Sequence, residues 1–137
     1  MAATGVSCSD DVIAQFNEFR MKKTAFKFIT YKIEGPHIVS DSTSESSDFA
    51  DLMKAFPEDD CRYAVYDCDF TTNDGRPANK IVQITWVPDT AKVKSKMIYA
   101  GSKDALSRAF IGVSVKLSAT DASEVSEQII IDQCKRF

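Results

Sequence analysis

The stretch Asn79-Lys80-Ile81-Val82-Gln83-Ile84-Thr85-Trp86-Val87, followed by Pro88-Asp89-Thr90 and a helical pattern to about Ala109, decides the fold. Its first part is rich in β-branched and aromatic residues and predicts a strand over about 79–87. Pro88 suits the first turn of a helix, where a missing N–H costs nothing. A long helix is therefore expected from about 88–90 to about 109, with a bend at Gly101-Ser102. A further strand is expected at about 113–119. Strand, long helix, strand is the pattern of a crossover connection, which implies a mixed sheet covered by helices.

Working outward, a strand at about 61–70 precedes this unit. It joins the 79–87 strand through the turn-rich Thr72-Asn73-Asp74-Gly75-Arg76-Pro77, a long-looped hairpin. Phe26 to Ile33 predicts another strand, and Gly35-Pro36 turns the chain into a short one near Ile38 and Val39. Asp41 to Ser47 reads as a solvated, serine-rich loop. A helix is expected over about 10–22, with Ser9 as its cap, Asp10 and Asp11 at the positive end of the dipole, and Val12, Phe16 and Phe19 as its buried stripe. Asp48 to Phe56 predicts a second helix, stopped by Pro57, and a last helix begins at about 121 or a little later. The order αββαββαβα, without repeats or linker, predicts one α+β domain over residues 1–137.

The composition agrees. The chain has 137 residues, 44% apolar and 27% charged, the balance of a globular protein with one core. Seventeen basic against twenty acidic side chains leave a net charge of −3, which argues against nucleic-acid binding by bulk charge. The longest apolar run, Ile129-Ile130-Ile131, is far below the ~20 residues that cross a bilayer. The N-terminus has neither a basic start nor an apolar stretch of secretory type, so no targeting segment is expected.

Cys8, Cys61, Cys68 and Cys134 show no CxxC spacing. Cys61 and Cys68, seven positions apart in one strand, would face opposite sides and could not bridge, so reduced and mostly buried thiols are expected. A single histidine, His37, beside a turn and with no cysteine cluster, argues against a zinc site. Walker A, GxGxxG and GxSxG patterns are absent, and nothing in the residues requires an enzyme or a cofactor.

Charge is unevenly placed. Asp41, Glu45, Asp48, Asp51, Glu58, Asp59 and Asp60 face one base, Lys54, whereas from Lys92 to Phe110 five bases (Lys92, Lys94, Lys96, Lys103 and Arg108) face only Asp104. On a regular helix Lys92, Lys96, Tyr99 and Lys103 share an arc of about 60°, with Lys94 nearly opposite. Such a face fits a solvated helix, an acidic protein partner or anionic lipid.

At this helix the sequence resembles the actin-depolymerising factor/cofilin family. The resemblance is carried by Asp60-Cys61-Arg62-Tyr63-Ala64-Val65-Tyr66-Asp67, Trp86-Val87-Pro88-Asp89-Thr90-Ala91, Lys94-Ser95-Lys96-Met97-Ile98-Tyr99-Ala100, Ser102-Lys103-Asp104-Ala105-Leu106, Gly112-Val113 and Ala119-Thr120-Asp121. It runs from about residue 4 to 136 in consistent order.

The resemblance implies a mixed five-stranded sheet sandwiched between helices. It also implies a non-enzymatic, monomeric protein of the cytoplasm and cytoskeleton that binds monomeric and filamentous actin, prefers ADP-actin, and severs and depolymerises filaments. The implied monomer-binding surface, used on filaments too, comprises Thr4, Gly5 and Val6 of the tail with Lys94, Lys96, Met97, Ile98, Lys103, Asp104 and Arg108. Core packing of at least one of Met97 and Ile98 is the alternative to a surface role. The implied second filament contact comprises Arg76, Lys80, Asp132 and Arg136.

Departures from the family pattern qualify these implications. Thr4 stands where a regulatory serine is common; a phosphate there would add about −1.5 to −2 charge, and Ser7 or Ser9 are alternative sites. Ser107-Arg108-Ala109 retains one basic residue of two or three, so only weak phosphoinositide binding is expected. Pro77-Ala78-Asn79 before Lys80, and Gln133, lack bases that are common in the family, so weakened filament binding is expected. A mainly monomer-sequestering protein and a phosphoinositide-binding adaptor are the alternative readings.

Overall fold

Residues 5–136 are described by a computed structural model. The chain runs through β1 (Ser7–Cys8), α1 (Asp10–Arg20), β2 (Phe28–Glu34), β3 (His37–Ser44), α2 (Phe49–Ala55), β4 (Arg62–Thr71), β5 (Pro77–Trp86), α3 (Val93–Ala109), β6 (Val115–Ala119), a 3-10 turn (Ala122–Glu124) and α4 (Glu127–Arg136). The sheet order is β1-β3-β2-β4-β5-β6; β1/β3 and β5/β6 are parallel and the remaining neighbours antiparallel.

Alternation along the central strands supplies two cores. From β4, Tyr63 and Val65 point to one side, where they join Val12, Phe16 and Phe19 of α1 and Tyr99 and Leu106 of α3. Ala64, Tyr66, Cys68 and Phe70 point to the other, against Leu52 of α2 and Ile130 and Cys134 of α4. Both faces are thus covered, which explains why Phe28-Ile29-Thr30-Tyr31 is buried without interruption. Cys61 belongs to the first core and Cys68 to the second, and all four cysteines are free thiols.

The sheet has six strands, not five. The additional one, β1, is made when the Ser7 amide donates to the Pro36 carbonyl (3.0 Å) and the chain runs parallel to His37 and Ile38. No periodicity marks a two-residue strand. Part of the expected loop at 41–47 is also strand: Ser42, Thr43 and Ser44 pair with Thr30, Ile29 and Phe28. Past the reach of β1, β3 is a solvated sheet edge that polar residues can form, and Ser42 Oγ bonds Thr30 Oγ1 at 2.6 Å.

Two boundaries also move, and an expected bend is absent. Helix α3 starts at Val93, because Pro88-Asp89-Thr90 is tied elsewhere: the Asp89 amide donates to Thr120 O and Thr90 Oγ1 to Glu58 O. It continues unbroken through Gly101-Ser102, with Ser102 buried against the sheet. Asp121 caps the 3-10 turn, accepting from the Ser123 amide at 2.8 Å, so α4 begins only at Glu127.

The end of α1 carries the one non-glycine residue with positive φ among the described residues, Lys22 at +62°. The Lys23 amide reaches Glu18 O and the Lys22 amide reaches Phe19 O, a Schellman closure usually made with glycine at that position. The lysine is held there by its ammonium, 2.6 Å from the buried carboxylate of Asp67 and 3.0 Å from Asn79 Oδ1. Lys22→Met removes the charge and keeps the strain, and should cost about 1.5–3 kcal/mol in urea unfolding. Lys22→Gly relieves about 1 kcal/mol of that strain and should fall nearer wild type; the reverse order would refute this account of the cap.

Candidate functional site

Helix α3 presents two unlike faces. Tyr99, Ser102 and Leu106 are buried on the sheet. Tyr99 Oη accepts from the Ile33 amide at 2.9 Å, its carbonyl accepts from Tyr63 Oη, and the Ser102 side chain hydrogen-bonds the same Tyr63 phenol. These bonds hold the helix in rotation about its own axis. At about 100° per residue, Val93, Lys94, Met97, Asp104 and Arg108 lie opposite, within about 100° of arc. All five are exposed, Met97 to 69%.

That geometry corrects the lysine arc. Tyr99, at one edge of that arc, is only 6% exposed, so the arc is the flank where the helix meets the sheet. Lys96 is half-buried there, its ammonium 3.3 Å from the Asp89 carbonyl, and Lys103 is exposed on the same flank. Lys94, seemingly isolated on the wheel, belongs to the outward face beside Met97. Ile98 is half-buried on the opposite flank. Core packing therefore does not explain Met97. Val93 is a further exposed apolar residue one turn from it, 68% exposed, which the sequence reading missed; its i, i+4 spacing from Met97 was the available signal once Tyr99 and Leu106 are taken as the inward anchor.

The tail lies beside this helix. Val6, Ser7 and Cys8 line a cleft of about 360 Å³ with Ala105, Arg108 and Ala109 of α3. Gly5 is exposed and adopts φ +77°, and Thr4 lies outside the described residues. Val6 thus meets Arg108 in one cleft, at the end of an outward face of Lys94, Met97, Asp104 and Arg108 that runs about 21 Å along the helix axis at 1.5 Å per residue, while Lys96 and Lys103 lie on the flank away from that cleft.

The other four residues separate into two places. Lys80, on β5, is half-buried and donates to Cys134 O at 2.8 Å, closing the negative end of α4. Arg136 is exposed two residues beyond that carbonyl, and Asp132 is exposed and accepts from Gln128 Nε2 at 2.8 Å. Arg76 stays at the hairpin tip, paired with Asp74 at 2.7 Å. Four residues of strand put it about 13 Å from Lys80. Near the hairpin tip, Asn79 and then Lys27 hold the Asp69 carboxyl below its usual range.

Among the described residues no group of three or more histidine, cysteine or acidic side chains could hold a metal, and no helix is long and apolar enough to cross a membrane. Burial pushes the Cys61 thiol up to about 11 and the Cys68 thiol up to about 12, so neither is a thiolate at neutral pH.

Comparison with known proteins finds relatives of both sequence and fold. The model of cofilin/tropomyosin-type actin-binding proteins matches residues 5–135. Cofilin of Ogataea parapolymorpha is 42% identical over 139 residues, covering 99% of this chain and 96% of that protein. Actin-depolymerizing factor 2 of Arabidopsis thaliana is 43% identical over 125 residues, 90% of each. Among solved structures, Streptomyces griseoflavus cofilin matches with TM-score 0.87 at 34% identity, covering 96% of this chain and 98% of that chain. Plasmodium berghei actin depolymerization factor 2 matches with TM-score 0.85 at 30% identity, covering 99% and 100%.

The two faces of α3 should respond unequally to small changes. Tyr99→Phe leaves the Ile33 amide without its side-chain acceptor and should lower unfolding free energy by about 1–2 kcal/mol. Met97→Ser, on the exposed face, should stay within about 0.5 kcal/mol of wild type. Urea titrations giving equal losses would mean that Met97 packs against the fold.

Proposed function

We propose a function from one premise: the chain belongs to the family of cofilin/tropomyosin-type actin-binding proteins. It binds actin monomers and filaments through a single domain spanning residues 1–137, severs and depolymerises filaments with preference for ADP-actin, and works at the cytoskeleton in the cytoplasm. No bond is made or broken. A protein that binds one filament state more tightly than another shifts the filament toward that state, and the differential affinity is the whole of the work.

The observation that carries this reading is the outward face of α3, where Met97 and Val93 stand exposed beside Lys94. An unbranched thioether fills irregular apolar clefts, and the neighbouring cations, Lys94, Arg108 and the flanking Lys103, steer toward and pair with acidic groups of the partner. Lys96, Ile98 and Asp104 complete the helix contribution, and Thr4, Gly5 and Val6 the contribution of the tail. A phosphate on Thr4, or on Ser7 or Ser9, would bring negative charge to this surface and weaken docking on an acidic partner.

The filament side contact is proposed to be the weaker one. Arg76, Lys80, Asp132 and Arg136 are assigned to it, but the Lys80 ammonium is engaged by Cys134 O and Arg76 by Asp74. Releasing either to a partner breaks an existing interaction, which supports reduced filament affinity and keeps a mainly monomer-sequestering role as the second reading. Phosphoinositide binding is weak, because the end of α3 offers Arg108 alone between Ser107 and Ala109.

Pelleting with preformed actin filaments is the test. The protein should appear in the pellet at less than stoichiometric amounts while actin in the supernatant rises. Supernatant actin without co-pelleting would favour sequestration, and no change in either fraction would overturn the actin reading.

Substitution should separate the two surfaces. Lys94→Ala with Met97→Ala should weaken both monomer and filament binding about tenfold, a loss of about 1.4 kcal/mol. Arg136→Ala should reduce co-pelleting and leave monomer affinity unchanged. Equal loss of both activities on Arg136→Ala would remove the second contact.

A further inference from the structure

The acid-rich stretch that ends at Asp60 finds no use in the surfaces above, and it meets a cavity. Where β5 ends and the turn before α4 begins, a cleft of about 470 Å³ opens to solvent, within the ~300–1,000 Å³ range of ligand sites. Its walls are apolar: Met53 of α2, Trp86, Pro88 and Ala122. Trp86 is a fixed wall, stacked on Phe56 at 5.1 Å between ring centres with its indole N–H donating to Pro57 O at 2.8 Å.

The rim is acidic. Glu58, Asp89 and Asp121 line the mouth and are all exposed, with Asp59 next to Glu58. Of the cations nearby, Arg62 is paired with Asp60 and Asp41, Lys54 with Asp51, and Lys96 donates to the Asp89 carbonyl, while Lys92, three residues past Asp89, is exposed. The Asp121 carboxyl is held below its usual range by the Ser123 side chain and amide, so it stays charged.

We propose that this cleft is a docking site for a short basic segment of a partner protein. One large apolar side chain of that segment enters between Trp86, Met53 and Ala122, and flanking lysines or arginines pair with Glu58, Asp89 and Asp121. An apolar floor inside a carboxylate ring matches an apolar residue bracketed by cations, and it repels an acidic segment. The same ring disfavours anionic lipid and nucleic acid.

Trp86 is the sole tryptophan of the chain, so its indole N–H resonance and fluorescence report the cleft directly. The probe is a capped hexapeptide with leucine and phenylalanine flanked on each side by two lysines; the control replaces the lysines with glutamates. The lysine peptide should shift the Trp86 resonance saturably, and raising salt from 50 to 300 mM should weaken binding at least fivefold. Glu58→Gln with Asp89→Asn should weaken it at least fivefold. Those two carboxylates are exposed and should not disturb the fold, which far-UV circular dichroism checks. Ala122→Phe, which fills the cleft, should abolish the shift.

No shift at 1 mM lysine peptide would overturn the proposal. So would equal binding by the glutamate peptide, or binding undiminished in Ala122→Phe and in the carboxylate pair. The titration contains no actin, so its failure leaves the actin reading standing, and a failed pelleting experiment leaves the cleft standing.

Discussion

The attachment of α3 to the sheet through Tyr99 is the constraint on which the rest depends. A crossover helix between parallel β5 and β6 must lie across one face of the sheet, but the connection leaves its rotation undetermined. Tyr99 supplies it twice, accepting from the Ile33 amide with its phenol oxygen and from Tyr63 with its carbonyl. With Tyr99, Ser102 and Leu106 inward, Val93, Lys94, Met97, Asp104 and Arg108 point outward. A different rotation would bury Met97 and expose a tyrosine, and the candidate surface would not exist.

The second constraint is that both faces of the central strands are covered. Helices α1 and α3 on one side and α2 and α4 on the other leave the strand ends and turns to carry charge. Acids collect where β5 ends and the chain enters the turn before α4: Glu58, Asp59, Asp89 and Asp121. Bases collect toward the opposite end, with Lys22 at the end of α1, Lys27 at the start of β2, Lys80 near the start of β5, and Arg136 at the end of α4. The bases at that second pole are partly offset by Asp67, Asp69 and Asp74, which pair with Lys22, Lys27 and Arg76. Several charges at the basic pole are engaged within the fold, among them Lys22 with Asp67 and Lys80 with Cys134 O. Stability and recognition draw on the same side chains there.

Much of this was legible in the residues. Alternation in 61–70 and 79–87, the helical stripe Val12, Phe16 and Phe19, the cap at Ser9 and the stop at Pro57 specify their elements locally, so each of these elements stands within a few residues of its expected place. The family was legible too, because its motifs occur in order along the chain. The two-residue β1, the polar end of β3 and the late start of α3 were not. Each is made by a backbone bond to a distant segment: Ser7 to Pro36, Ser44 opposite Phe28, Asp89 to Thr120. Propensity carries no information about such partners.

The sequence by itself determined the type and order of every element but β1, the mixed sheet and the family, and it offered the residues proposed for an actin-binding surface, because periodicity, caps and motif order are local properties. Only the tertiary structure decided which of those residues stand together in solvent. A helical wheel has no origin until one residue is pinned, and a bond from Ile33, sixty-six positions away, pins Tyr99. That bond moves Lys94 to the outward face and Lys96 to the flank. The cleft beside Trp86 has the same character, since its walls come from three separate parts of the chain and no single one of them announces a cavity.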